Sequence, residues 1–494
     1  MKGVWAFDIG ASNGRLMLSR FDGERLFLEE EYRFVNEPIS LMNHLYWDVL
    51  NIVREIKAAM LIGLKRNHME LASVGIDTWG VDFGLISKTG ELLANPYCYR
   101  DPQNDQAMEQ VLTRIPEKEL FQLTGVASSP INTLFQLYAL SNSNPALIEQ
   151  SESLLLTPNL LTYFLTGEKQ NEYTISSTTQ LLSVTDQDWS KGLLQEIGCS
   201  HEILAPVVKP CTTSGYTLPS INGELQMSRL KVVNVGGHDT ASALAALPIE
   251  KEGSAFMSCG TWILIGVPVK KPVTSDEARK NGFTNEGTID GGYRLQKNLM
   301  GMWFLQQCRT IWKRQGVEFN YAEEKKLMME ADPFRSFIDP DHHRFFNPEH
   351  MIAEIKRYCQ ETNQPIPHTP AEILRCILES LVLKYRFVMD QLERVIHKRI
   401  STVHMGGGVI QNELFCQFVA NATNREVIVG PVEASSIGNA IAQWIALGEI
   451  GNLQEARSIV KRSFDVKHYQ PAVEEGWQTA YESFKTLIEV SEDD

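Results

Sequence analysis

The residues best placed to do chemistry stand in GGHD, Gly236–Asp239, between the apolar run LKVVNV and the small residues TASAL. An apolar strand that delivers a carboxylate to the first turn of a helix sets a base at the edge of an anion site, because helix N-terminal amides attract negative charge. Asp239 in that position is the candidate base of a small-molecule kinase. Gly236 and Gly237 would let the backbone pass close to the transferring phosphoryl group.

Small-residue loops after apolar runs supply the other half of such chemistry. DIGASNGR follows the strand-like Lys2–Phe7, and its Gly10, Ala11, Ser12, Asn13 and Gly14 can turn backbone N–H groups toward a phosphate. It is neither a Walker A loop nor a dinucleotide fingerprint, and a plain hairpin turn remains the alternative. SAFMSCGTWILIGVPV, Ser254–Val269, repeats the layout of strand, small-residue turn and strand. Gly406–Gly408, lying between TVHM and the helix-like NELFCQFVANAT, are three glycines with no evident packing use, which favours close approach of a ligand.

A polyol would suit GIDTWGVDF, where Asp77 and Asp82 flank Trp79, although a structural hairpin with a core tryptophan reads equally from the same residues. Asn298 and Gln306 interrupt an apolar, helix-like run and at i and i+8 could share a face, or simply be solvated.

These loops need a scaffold. The first 80 residues read as strand, strand, strand, helix, strand: RLMLSRF, RLFLEEEYRF after the turn at Asp22 and Gly23, the amphipathic WDVLNIVREIKAAMLIGLKRN, then LASVGIDTWG. The pattern is mixed α/β with an antiparallel edge. At 494 residues the chain is long for one core, and the repeated strand–loop–strand unit favours two lobes, 1–247 and 248–494, divided near Pro248.

A net charge of −15 without a Lys/Arg block argues against a nucleic-acid surface. Asp8 interrupts the N-terminal apolar stretch and no apolar run approaches about 18 residues, so neither a signal peptide nor a membrane span is indicated and a cytoplasmic protein is expected. The 8 cysteines lack C-x-x-C spacing, so no zinc site or disulfide scaffold is expected; Cys359 and Cys376 would approach only if two helices turn back around ETNQPIPHTP.

Taken together and in this order, DIGASNGR, GIDTWGVDF, GGHDTASA, SCGTW, KNLMGMW and GGGVIQN, with GPVEASSIGN at Gly430–Asn439, resemble the FGGY family of carbohydrate kinases over nearly the whole chain. The resemblance implies two actin-like, ribonuclease H-like lobes with mixed sheets flanked by helices, ATP and sugar in the cleft between them, and a monomer or small homo-oligomer. It implies transfer of the γ-phosphoryl of ATP to the 1-hydroxyl of L-rhamnulose, with L-fuculose or xylulose as competing acceptors. An actin- or chaperone-like ATPase is the reading from another class.

Carried over, Ala11, Ser12, Asn13, Gly14 and Arg15 match the first phosphate-binding segment, and Asp8 the carboxylate that faces hydrated Mg²⁺. Gly80, His238, Thr240 and Asn298 match sugar contacts, and Asp239 the proton acceptor. Thr261, Gln306 and Gly407 match nucleotide contacts. Asn13 and Cys259 each stand where serine is common in the family; the thiol is either a small buried residue or a point of sensitivity to alkylation.

Overall fold

In the computed structural model, which describes residues 2–67, 69–251, 253–260, 262–472 and 476–491, the chain forms two units. One comprises Met1–Glu250, Pro268–Leu295 and Glu433–Phe464, the other Lys251–Val267, Gln296–Val432 and Asp465–Asp494. The first change of unit falls beside Pro248, but a single cut there does not describe the chain. Segments 268–295 and 433–464 return to the first unit because their partners are there: Gly287 N–H donates to Ser177 Oγ (2.7 Å) and Trp444 Nε1–H to Ser19 Oγ (3.2 Å). Thr261 lies outside the described residues.

The first unit is built on β1 (Gly3–Ile9), β2 (Asn13–Phe21), β3 (Leu26–Val35), α1 (Val49–Arg66), β4 (Leu71–Thr78), β5 (Thr212–Tyr216) and β6 (Lys231–Asn234). The sheet order is β5-β6-β4-β1-β2-β3. β1 runs antiparallel to β2 and parallel to β4, and β4 runs parallel to β6. GVWAFDI is buried at every position, as a central strand covered on both faces must be. The amphipathic stretch after β3 becomes α1, whose N-terminus is capped by Asp48 accepting from the Asn51 N–H and whose last turn carries Lys65 and Arg66. Its Gly63 lies against Trp5, where a Cβ would come within 2.8 Å of the indole. After β6 the chain enters α2 (Asp239–Ala246).

The second unit repeats this plan with β7 (Ser254–Cys259), β8 (Trp262–Val269), α3 (Pro370–Ile396), β9 (Thr402–Gly406), α4 (Glu413–Thr423), β10 (Glu426–Val429) and β11 (Lys467–Tyr469). β7 is antiparallel to β8 and parallel to β9, β9 is parallel to β10, and β10 is antiparallel to β11. Strand for strand, these are the directions of β1, β2, β4, β6 and β5, so the repeat read from the two strand–loop–strand motifs extends to whole sheets. α3 opens on a capping box, Thr369 with Glu372, and Pro370 in the first turn.

From β10 the chain returns to the first unit as α5 (Ala434–Ala446). All the cysteines are free thiols, and Cys359 in Met351–Glu361 and Cys376 in α3 are buried close enough to perturb each other, without a disulfide. Among the described residues no helix is long and apolar enough to cross a membrane.

Candidate functional site

Three carboxylates gather where parallel strands of the first unit end. Asp8 on β1 is in register with Asp77 on β4, and Asp239 is the first residue of the helix that follows β6. The carboxyl ends of parallel strands are where open α/β sheets bind ligands. Asp77 is fully buried; its Oδ2 accepts from Asn439 Nδ2 at 2.6 Å while Oδ1 has no partner. Burial, and then the neighbouring Asp8, push the Asp77 carboxyl well above the usual range. The Asp239 side chain stays 31 % accessible, yet desolvation still raises its carboxyl, with Asp8 adding to the rise and His238 opposing it.

The surroundings of Asp239 are polar and closely held. Thr240 Oγ1–H donates to Asp239 Oδ1 at 3.0 Å, and His238 Nε2 stands 3.4 Å from the same oxygen. Gly80 lies opposite: a Cβ there would come within 3.4 Å of His238 Nε2. The structure therefore brings Gly80, His238, Asp239 and Thr240 together, while Thr240 directs its hydroxyl to the carboxylate. The backbone of the GGHD turn is fixed by Glu172, whose Oε2 accepts the Gly237 N–H at 2.9 Å. Glu172 also takes the N–H groups of Thr174 and Ile175, and burial pushes its carboxyl up to about 7.

One helix face holds much of this arrangement in place, and sequence reasoning missed it. Glu433 pairs with Arg15, Ser436 Oγ–H donates to Asp8 Oδ2 at 2.8 Å, Asn439 donates to Asp77, and Gln443 Nε2–H donates to the Trp5 carbonyl at 2.9 Å. Spacings of three, three and four residues put these side chains on one side of α5. α5 also seats α2: a Cβ on Gly438 would lie 1.7 Å from the Ser242 carbonyl oxygen, so only glycine permits this approach. The signal lay in GPVEASSIGN, whose polar periodicity does not name partners more than three hundred and sixty residues away.

Asp8 is the hub of the first loop. Its Oδ2 accepts from Arg15 Nη2 at 2.9 Å as well as from Ser436. The loop closes with Gly10 N–H donating to the Asn13 carbonyl at 2.9 Å, and Asn36 Nδ2–H donates to the Gly10 carbonyl at 2.8 Å. Ser12 and Asn13 are exposed, Ala11 rests on the core, and Gly14 is glycine because a Cβ would enter the Phe34 ring.

Several expectations are corrected by packing. Trp79 is buried against Trp47, ring centroids 4.2 Å apart, and both indoles donate to Asp82, at 2.8 and 2.6 Å. The segment forms no hairpin, since Leu71–Thr78 and Phe83–Ser87 lie in different sheets, and its tryptophan is a core feature, not an open platform for a sugar. Gly236 and Gly237 answer neighbours of their own chain, since a Cβ would meet Ile289 at 2.8 Å or Glu172 at 2.9 Å. In the second unit Gly407 has φ +100° and its Cβ would lie 2.5 Å from the Cys259 carbonyl oxygen, so packing does require it, whereas Gly408 faces open space. Asn298 and Gln306 are both exposed but share no helix face, because Asn298 is in the strand Tyr293–Met300 and Gln306 in the helix Trp303–Arg314. Cys259 is buried, with its thiol pushed well up by burial and directed at the Met257 carbonyl, which removes it as a reactive group.

Comparison with known proteins agrees with this geometry. The model of the N-terminal domain of the FGGY family of carbohydrate kinases matches residues 4–246, and that of the C-terminal domain matches residues 255–447. The chain is 39 % identical over 487 residues to a rhamnulokinase of Bacteroides thetaiotaomicron, covering 98 % of this chain and 99 % of that protein. A rhamnulokinase of Oceanobacillus iheyensis is 39 % identical over 474 residues, covering 95 % and 99 %. Among solved structures, a ligand-bound xylulose kinase from Lactobacillus acidophilus superposes with TM-score 0.80 at 15 % identity, covering 99 % of this chain and 97 % of that one. A Plasmodium falciparum glycerol kinase with ADP gives 0.80 at 15 %, covering 100 % and 98 %. The chain belongs to the FGGY family of carbohydrate kinases. It is an ATP-dependent sugar kinase with the two-lobed, actin-like α/β fold of that family.

Proposed function

We propose that this kinase phosphorylates L-rhamnulose at its 1-hydroxyl, giving L-rhamnulose 1-phosphate and ADP, with Asp239 as the base. The observation that carries the chemistry is the placement of Asp239, partly open, at the head of α2, where desolvation and then the neighbouring Asp8 raise its proton affinity. The choice of sugar rests on the rhamnulokinases that match nearly the full length of the chain.

In the reaction, the 1-hydroxyl of a ketose held at Gly80 and His238 donates a hydrogen bond to Asp239. The carboxylate takes the proton as the bond from sugar oxygen to γ-phosphorus forms, and ADP leaves. Thr240 holds Asp239 in orientation through its 3.0 Å hydrogen bond. A carboxylate whose proton affinity is raised by its surroundings is a better match to a hydroxyl than an ordinary surface aspartate. Ala11, Ser12, Asn13, Gly14 and Arg15 bind phosphate oxygens of ATP. Thr261, Gln306 and Gly407 of the second unit contact the nucleotide, and Asn298 the sugar.

Mg²⁺ fits the residues present. The unpartnered Asp77 Oδ1, and the raising of the Asp77 and Asp239 carboxyls by the neighbouring Asp8, mark an excess of negative charge that a hydrated cation relieves. Asp8 would hold it through water. When bound, the ion neutralises the charge of the phosphate chain.

An assay of ATP with L-rhamnulose, L-fuculose, xylulose and other ketoses tests the substrate. The highest kcat/KM is expected for L-rhamnulose; preference for another ketose overturns that choice, and hydrolysis of ATP that ignores sugar overturns the kinase assignment.

A further inference from the structure

His238 has a back side that the reaction above does not use. A hairpin of the first unit, running from Thr284–Gly287 into Tyr293–Leu295, brings a buried ion pair to it. Arg294 is fully buried, Glu286 nearly so, and the guanidinium Nη2 is bonded to Glu286 Oε2. Arg294 Nη1–H donates to the Gly287 carbonyl at 2.9 Å, so the guanidinium is held at two points. Burial alone would raise the Glu286 carboxyl, but the Coulomb attraction of Arg294 holds it below the usual range, so the pair remains ionised.

Against His238 this pair is selective about where the ring proton sits. Arg294 Nη2 lies 2.5 Å from His238 Nδ1, and Glu286 Oε2 lies 3.1 Å from the same nitrogen. A guanidinium N–H can only donate, so a contact this close requires a lone pair on Nδ1. An Nδ1–H turned to Glu286 would leave two hydrogens opposed at the arginine. It would also leave the Nε2 lone pair facing Asp239 Oδ1 across 3.4 Å, acceptor against acceptor. Both ends of the ring are satisfied by one arrangement, with Nδ1 accepting and Nε2 bearing the hydrogen.

We propose that Arg294 and Glu286 are positioning residues that hold His238 as its Nε2–H tautomer, so that the ring donates toward Asp239 and toward a sugar hydroxyl brought to Gly80. Arg294 supplies the donor to Nδ1; Glu286 aims the guanidinium and cancels its charge beside the base. His238 thereby presents a fixed donor to the side where Asp239 must present an acceptor, and a hydroxyl between them is oriented for attack. The functional part of this inference rests on the reading of Asp239 as the base, whereas the tautomer does not.

Long-range ¹H–¹⁵N spectra of ¹⁵N-histidine-labelled protein, with His238 assigned by comparison with His238→Gln, read the tautomer directly. The wild type is expected to show His238 protonated at Nε2 alone. Arg294→Leu is expected to abolish that preference, lower kcat about 10- to 100-fold, raise the KM for sugar and leave the KM for ATP within about twofold, the range typical when a supporting partner of a functional histidine is lost. Arg294→Lys, which keeps a charged donor, is expected to restore the tautomer and most of kcat; a merely structural arginine would not be rescued in this pattern. A wild-type spectrum with the proton on Nδ1 overturns the proposal, and this holds even if Arg294→Leu does not fold. An unchanged tautomer in Arg294→Leu or in the milder Glu286→Gln overturns it as well. Near-normal turnover by Asp239→Asn, with the Nε2–H tautomer intact, would instead strike the reading of Asp239 and leave the tautomer assignment standing.

Discussion

The strand–loop–strand motifs that open the two units share their hydrogen-bonding plan and differ in their charge. In both, an apolar strand pairs antiparallel with the next and parallel with a later one, and a glycine N–H closes the loop: Gly10 to the Asn13 carbonyl in the first, Gly260 to the Trp262 carbonyl in the second, each at 2.9 Å. In the first unit the strand delivers Asp8, in register with Asp77 and braced by Arg15 and Ser436. In the second the strand ends in Ser258 and a buried Cys259, beside the neutral Gly407. One backbone design thus serves two electrostatic tasks. The charged copy suits proton transfer and a hydrated cation; the neutral copy suits contact with a nucleotide through backbone and small side chains.

The sharpest way to break this contrast is to remove the charge chemistry from the first unit. Asp239→Asn is expected to lower kcat by about 10³-fold while ATP still binds, measured by steady-state assay and nucleotide titration. Turnover within tenfold of the wild type would place the base elsewhere.

A pair of glycine substitutions compares the packing of the two units. Gly438→Ala forces a Cβ to within 1.7 Å of the Ser242 carbonyl in the first, and Gly407→Ala puts one 2.5 Å from the Cys259 carbonyl at φ +100° in the second. Chemical denaturation is expected to show losses of about 3 kcal/mol or more for the former and about 2 kcal/mol for the latter. Gly408→Ala, with open space around it, serves as the control and should cost under about 1 kcal/mol.

Titration separates the units further. Burial raises Asp82 and Glu172, both in the first unit, to about 7. Because the folded chain keeps these protons over a range where the unfolded chain has released them, stability falls as pH rises from about 4 to about 7 and levels off above, by up to about 1.4 kcal/mol per pH unit for each group. Urea midpoints measured across that range should drop with pH, and Asp82→Asn should flatten the slope. An equal slope in Asp82→Asn would show that other groups control it.

The smallest expected effect lies at the exposed rim of the second unit. Gln306→Ala should raise the KM for ATP a few-fold and leave the KM for sugar unchanged, with little effect on stability, since its side chain is exposed. A change in the sugar KM instead would move Gln306 out of the nucleotide set.

Much of this was legible in the residues themselves. Apolar periodicity located β1 through β4 and α1, the Asp22–Gly23 turn located the hairpin into β3, and the order of short motifs identified the family, because each depends on near neighbours in the chain. The same local signals put Asp239 at the junction of a strand and a helix, where the structure has it. What they could not decide was which partner a residue would meet. The glycines at 236, 237 and 407 read as close approaches for a ligand, and the packed chain adds a need the residues did not announce, clearance for Ile289, Glu172 and Cys259. Trp79 looked like a sugar platform and is packed, tilted, against Trp47. The face of α5 that braces Asp8 and Asp77, and the Arg294–Glu286 pair behind His238, join residues far apart in sequence. The sequence by itself determined the elements of the first sheet, the repeat of its opening motif and the place of the candidate base at a strand-to-helix junction. Only the tertiary structure decided which carboxylates share a field, which glycines serve packing, and which buried cation stands behind the histidine, because burial and charge proximity belong to the packed chain and not to any local stretch of it.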